Sequence, residues 1–176
     1  MEFNELIGTR ESIRSYDPTR PVSEEVLKRI LEAGRLALSA ANRQPWKFLL
    51  ISSPGMLEKV KACYGREWFH DAPHVLVIVG LRDQAWKRSF DGYNSVETDA
   101  AIAMTHIILA AENEGVGACW IANFDPAILS EALKDIIDPR SGQVIFGITP
   151  LGYPRPEFRK SGVKKRKDFS EVVQYI

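Results

Sequence analysis

Two groups of cations stand near opposite ends of this 176-residue chain: Arg10-Glu11-Ser12-Ile13-Arg14 near the start and Lys164-Lys165-Arg166-Lys167 near the end. Arg10, Ser12, Lys164 and Arg166 are donors of the kind that hold a phosphate, because a charged donor and an anionic oxygen form short, strong hydrogen bonds. Taken singly, such charge runs are more often solvated surface. Between them, Ser39-Ala40-Ala41-Asn42-Arg43-Gln44-Pro45-Trp46 combines small residues, which allow close backbone approach, with two amides suited to a polar ligand edge. The competing reading is a structural loop with Trp46 filling the core. No Gly-x-Ser-x-Gly, Walker sequence or nucleophile with an evident base occurs. That absence is what a chain delegating its chemistry to a bound cofactor would show.

The elements that must position these groups are legible in outline. Phe3, Leu6, Ile7 and Ile13 predict an amphipathic N-terminal helix that reaches the Arg10–Arg14 segment and puts both arginines on one face. Ser23 is an N-cap, with Glu24 and Glu25 at the positive end of the helix dipole and Val26, Leu27, Ile30, Leu31 and Ala37 as the apolar stripe. Pro45 excludes helix, so Trp46 to Ile51 reads as a strand, followed by a short helix from Ser53-Pro54 through Cys63. The run Val75-Leu76-Val77-Ile78-Val79 predicts a strand buried on both faces. Glu97 to Glu114 is apolar nearly all round, as befits a core or subunit-interface helix, and Gly115 stops it. A strand over 116–122, a helix from Asp125-Pro126 to Ile137 and a last strand over 143–151 complete the pattern. Helices and strands alternate without a hairpin series, giving an α+β sandwich around a mainly antiparallel or mixed sheet.

Composition narrows the function. Lysine plus arginine (23) balance aspartate plus glutamate (23), which gives no global field for nucleic acid or an anionic membrane surface. The longest apolar stretch, Ala100 to Ala111, is interrupted by Thr105 and His106 and is too short to span a bilayer, so a cytoplasmic protein is expected. Cys63 and Cys119 are isolated and read as reduced thiols. His70 and His74 are separated by Pro73, which disfavours a helical metal face. Gly115-Val116-Gly117-Ala118-Cys119-Trp120 lacks the third glycine of a dinucleotide fingerprint and follows a helix, not a strand.

A series of ordered blocks resembles the nitroreductase family of FMN-dependent oxidoreductases. The blocks are Arg10 to Arg14, Ser39 to Phe48, Asp71-Ala72-Pro73, Gly115 to Ala122, Leu151-Gly152-Tyr153-Pro154 and Lys164 to Val173. The resemblance implies a nitroreductase-like α/β/α sandwich, residues 1–176 forming one FMN-binding domain, and an intertwined homodimer with FMN at its interface. It implies cofactor contacts from Arg10, Glu11, Ser12, Arg14, Ser39, Ala40, Asn42, Gln44, Cys119, Trp120, Ile121, Ala122, Lys164 and Arg166. Arg14 would lie near flavin N1 and O2, the Cys119–Ala122 backbone near N5 and O4, and Ser39 and Asn42 would reach the cofactor held by the other subunit. Glu11 would pair with an arginine or lie against the ring.

In such enzymes NADH or NADPH gives a hydride to flavin N5 and leaves. A nitroaromatic, quinone or similar small-molecule acceptor then takes the hydride in the vacated place, a ping-pong mechanism. Trp68, Phe69, Tyr93 and Phe124 are candidates for the pocket walls, or equally for core and dimer packing. Two other readings stay open: a specialised relative performing reductive dehalogenation or oxidative flavin chemistry, and an FMN-binding protein with little turnover.

Overall fold

In a computed structural model that describes residues 1–176, the Ser23 signal produces helix α2 (Glu24–Arg35), whose first turn is capped by the Ser23 hydroxyl accepting from Val26 N–H at 3.4 Å. Before it lies α1 (Phe3–Thr9), and after it come β1 (Trp46–Ile51), α3 (Pro54–Lys61), α4 (Glu67–His70) and β2 (His74–Leu81). The long helix α5 (Val96–Asn113) leads to β3 (Gly117–Ala118), α6 (Pro126–Ala132), β4 (Gln143–Gly152) and a short α7 (Phe169–Val172).

The strands form one antiparallel sheet in the order β1-β2-β4-β3. Central β2 is buried along its whole length. Alternation divides its side chains: Val75, Val77 and Val79 join a core shared with Leu57, Val60, Leu129 and Leu133 of α3 and α6 or the turn after α6. Leu76 and Ile78 face the opposite core, with Ile30 of α2 and Met104 and Ile107 of α5. The result is helices on both faces of a sheet, the α+β sandwich expected. Helices α2 and α5 approach closely at Gly34, where a Cβ atom would lie 2.6 Å from Ile107 Cδ1.

α5 ends as Gly115 requires. With Gly115 at φ 70°, its N–H bonds Glu112 O at 3.0 Å and Val116 N–H bonds Ala111 O at 2.8 Å, satisfying the last carbonyls. Along α5, Ala100, Ala103, Met104, Ile107 and Ala111 are fully buried, whereas Ala101, Ile102, Thr105 and Leu109 form a stripe left partly open. No helix is long and apolar enough to cross a membrane.

Three element boundaries differ from expectation. α1 stops at Thr9 because Ile13 is wanted elsewhere: its N–H bonds Ala118 O on β3 at 3.0 Å, which needs an extended chain. The predicted 116–122 strand shrinks to Gly117–Ala118, since Cys119 N–H turns to the Thr149 hydroxyl at 3.3 Å and pairing resumes only at the Ile121–Ile148 bridge. α6 ends at Ala132 rather than Ile137, and the turns that follow bring Leu133 and Ile137 into the same core as Leu129.

Candidate functional site

The segment after α1 carries the first cations. Its Ile13 is 1% exposed and Tyr16 fully buried, with the Tyr16 hydroxyl donating to Ile13 O at 2.8 Å. Burial pushes the Tyr16 phenol well above its ordinary pKa. With Ile13 turned inward, Ser12 and Arg14 turn outward. Arg10 and Arg14 therefore do not share a helical face, as the sequence reading had them. Four residues of extended chain separate them by up to about 13 Å, against about 6 Å along a helix.

The C-terminal segment returns to this place through a chain of contacts. Asp17 N–H bonds Tyr153 O at 2.9 Å, Arg155 pairs with Asp71 at 2.9 Å, and Lys160 pairs with Glu112 while also donating to Thr9 O at 3.3 Å. Glu11 accepts from Ser161 N–H and hydroxyl at 3.0 Å each and from Gly162 N–H at 2.8 Å. These bonds hold its carboxyl below the usual range, the Ser161 backbone bond first. Glu11 thus makes no ion pair with an arginine; its bonds anchor the basic tail beside Arg10.

That anchoring gathers like charges. Lys164 donates to Ile7 O, and its ammonium is pushed below the usual lysine range by burial first and then by Arg10 and Arg166. Glu112 and Glu11, already bonded elsewhere, offset this only in part. None of Arg10, Arg14, Lys164 and Arg166 makes an ion pair. A cluster of cations lacking acidic partners is electrostatically costly unless an anion joins it.

Arg10 and Ser12 open onto a hollow of about 280 Å³ completed by Thr105, Ile108 and Leu109 of α5 and by Trp120. The Trp120 ring leans on Phe146, with ring centroids 5.4 Å apart, and covers Gly147, where a Cβ would stand 3.0 Å from the indole nitrogen. Ile121 N–H points inward to Ile148 O at 2.8 Å, and the alternating N–H groups of Trp120 and Ala122 form no hydrogen bond within the chain. Cys119 is buried, its thiol 3.8 Å from Trp120 O, and serves as a small packing residue. A larger hollow of about 570 Å³ between α3 and α6 is lined by Met56, Ile128 and Ile136. It has no comparable cluster of unpaired cations, so the smaller hollow is the better candidate.

The Ser39–Gln44 loop is a tight turn with left-handed backbone at Ala41, Asn42 and Gln44 (φ 49°, 53° and 49°). Ser39 Oγ accepts from Gln44 N–H at 2.9 Å, and the Gln44 amide donates to Asn42 Oδ1 at 3.1 Å. Ala40 N–H donates to Asp99 Oδ1 at 2.9 Å. This places the loop at the N-terminal end of α5, whereas Arg10 and Ser12 face Thr105 to Leu109, about 9–15 Å further along the helix axis. Within one chain the structure joins Arg10, Ser12, Trp120, Lys164 and Arg166 and keeps Ser39, Ala40, Asn42 and Gln44 apart from them.

The aromatic candidates separate by burial. Phe69 has no exposed surface and belongs to the core under β2, so it walls no pocket. Trp68 packs between Tyr16 and Tyr64, with centroids at 6.2 and 5.7 Å, and Phe124 packs against the same core. Tyr93 lies on the surface under Arg88, beside the N-terminal end of α5. Sequence reasoning missed Asp99 and the α5 wall of the hollow. Asp99 stands beside Glu97 in the first turn of α5, where acidic residues ordinarily meet the helix dipole, so its type gave little signal, and Thr105, Ile108 and Leu109 gave none.

The description of the nitroreductase family matches residues 7–63 and 54–153 of the chain. A protein of Archaeoglobus fulgidus, provisionally named NADH dehydrogenase/NAD(P)H nitroreductase, is 30% identical over 97% of this chain and 91% of its own length. The crystal structure of a nitroreductase family protein from Clostridium difficile 630 superposes with a TM-score of 0.88 at 30% identity, covering 99% of this chain and 98% of that one. An FMN-dependent nitroreductase from Clostridium difficile R20291 superposes with a TM-score of 0.70 at 27% identity, covering 94% and 92%. Likeness in sequence and in fold extends over nearly the whole length, and the chain belongs to the nitroreductase family.

Proposed function

We propose that this protein is an FMN-dependent oxidoreductase that passes a hydride from NADH or NADPH to a nitroaromatic, quinone or similar small-molecule acceptor. The observation that carries the reading is the meeting of Arg10, Lys164 and Arg166, drawn from opposite ends of the chain and left without acidic partners. Such a cradle fits a phosphate monoester, and the neighbouring hollow and free Trp120 N–H fit a flat polar ring. FMN, when bound, supplies N5 as the atom that accepts and returns the hydride.

The chain's own groups bind and orient. Arg10, Ser12, Lys164 and Arg166 hold the phosphate. Arg14, set apart from Arg10 by extended chain, stands toward the ring edge that gains negative charge on reduction. The Cys119–Ala122 backbone runs along the ring, with the outward N–H groups of Trp120 and Ala122 as its donors. Ser39, Ala40, Asn42 and Gln44, too distant in their own chain, complete the site of a second copy.

Several features support a homodimer as the working form. β1 is an edge strand with one side unpaired. Phe3 and Ile7 of α1, and Phe169, Val172, Tyr175 and Ile176 of the tail, are exposed apolar side chains of the kind an interface covers. The α5 stripe of Ala101, Ile102, Thr105 and Leu109 is likewise left partly open. The names of the relatives, with NAD(P)H as donor in one and FMN dependence in another, agree with the reading.

Steady-state kinetics test it. Varying NADH or NADPH at several fixed concentrations of a nitroaromatic or quinone acceptor should give parallel double-reciprocal lines, as one open face serves both reactants in turn. Converging lines would contradict that shared place. Arg166→Ala should weaken FMN binding about tenfold or more, and an unchanged affinity would return Arg166 to the surface.

A further inference from the structure

We propose that Asp99 is a positioning residue of the flavin site, acting through the Ala40 N–H on the Ser39–Gln44 turn. The inference rests on the reading just given, in which that turn meets the cofactor. Three residues with a Cβ, Ala41, Asn42 and Gln44, hold left-handed backbone there, a region such residues avoid unless their surroundings impose it. Bonds inside the turn, Asn42 N–H to Ser39 O at 3.0 Å and Arg43 N–H to Ala40 O at 3.1 Å, give it shape but no place. Place comes from Ala40 N–H to Asp99 Oδ1 at 2.9 Å, the one hydrogen bond that ties residues 39–44 to a helix; the other bond out of the turn, Trp46 N–H to Gln44 O at 2.9 Å, only joins it to the adjoining start of β1.

Asp99 is itself held. It is 1% exposed, and its second oxygen accepts from the Ser95 hydroxyl at 2.7 Å. Ser95 N–H in turn bonds Trp86 O at 3.0 Å, so the carboxylate is clamped where the chain between β2 and α5 enters the helix. A carboxylate on the first turns of a helix also lies at the positive end of its dipole. Asp99 thus transmits the position of α5 to the tip of a turn whose flanks, Ala37 and Trp46, already pack on Ala103 of that helix, while Ser39 and Ala40 are only half-buried and Ala41 through Gln44 are exposed.

The test compares Asp99→Ala with Asp99→Asn in the full-length protein, reading FMN affinity, the reduction potential of bound FMN and hydrogen exchange across residues 40–44. Asp99→Ala should weaken FMN binding about tenfold, the worth of one lost hydrogen bond to a charged group, lower the potential and speed exchange in the turn. Asp99→Asn, whose amide oxygen still accepts from Ala40, should restore affinity to within about threefold of the parent. Should Asp99→Ala not fold, Asp99→Ser, too short to reach Ala40, carries the same readings. A lowered unfolding midpoint with affinity and potential unchanged would overturn the inference. Ser39→Ala combined with Asn42→Ala separates the two claims. If that variant alters affinity and potential while Asp99→Ala does not, only the positioning role falls. If neither alters them, the turn is not at the flavin and the site reading falls with it.

Discussion

Replacing Ile13 by alanine removes three side-chain carbons between Ser12 and Arg14 without touching a charge. Ile13 is 1% exposed and belongs to a small cluster with Tyr16 and Ala72, flanked by Trp68 and Phe158. Truncation of a buried branched side chain costs the transfer of the lost methyl groups plus the residual cavity, about 3 kcal/mol for a cluster near the surface that relaxes partly. For a chain of this length each kcal/mol moves Tm by about 2–4 °C, so Ile13→Ala should lower it by about 6–12 °C. Ile13→Val, one methyl shorter, should cost about 1 kcal/mol and a proportionate fraction of that shift.

The functional half of the prediction follows from geometry. Ile13 docks the cation segment on β3 through its N–H to Ala118 O. A loosened Ile13 therefore loosens Ser12 and Arg14 with all their donors still present. FMN affinity should fall about tenfold in Ile13→Ala, equivalent to losing one good phosphate contact. Circular dichroism melting of the apo-protein and FMN fluorescence quenching on the same preparations give both numbers. A Tm loss below about 2 °C would refute the burial. A full Tm loss with unchanged FMN affinity would refute the docking.

Four further outcomes are expected. Glu11→Ala should release the Ser161–Gly162 anchor and weaken FMN retention severalfold although it removes a negative charge near the phosphate; tighter binding in equilibrium dialysis would show that charge outweighs anchoring. Arg14→Ala should lower the flavin reduction potential more than it weakens FMN binding, and a redox titration with an unchanged potential would remove Arg14 from the ring edge. Burial, and then the Lys61 ammonium, holds His74 below the usual imidazole range, so the folded protein resists its protonation. The unfolded chain takes that proton below about pH 6.5; the urea midpoint should fall from pH 7.5 to 5.5, and His74→Gln should flatten the fall, an unaltered slope arguing against it. Burial pushes the Cys63 thiol up to about 11, and with Cys119 also buried, Ellman's reagent should label the native protein slowly and both thiols at once in urea, a prediction that rapid native labelling would contradict.

How legible the sequence was depends on the range of the interactions involved. The Ser23 cap, the Gly115 stop, the Val75–Val79 run and the Asp125-Pro126 start are local signals, and each appears where it was read. The Arg10–Arg14 segment was misread because apolar spacing continued through Ile13, while a single long-range bond to β3 decides its conformation. Glu11 shows the same limit, since its partners lie 150 residues away. Which cations of the tail reach Arg10 depends on the path of residues 155–163 over α1 and α5, fixed by the Lys160–Glu112 pair and the Glu11 anchor. Phe69 and Tyr93 are both aromatic in the sequence, and only packing separates a core residue from a surface one.

The most direct measurement is the visible absorbance of the purified protein, supplemented with FMN if colourless, before and after anaerobic addition of NADH and then NADPH. The account predicts a yellow protein holding one FMN per chain, bleached by at least one donor and recoloured by a nitroaromatic or quinone. A protein that takes up no FMN, or whose bound flavin stays oxidised with both donors, would contradict it.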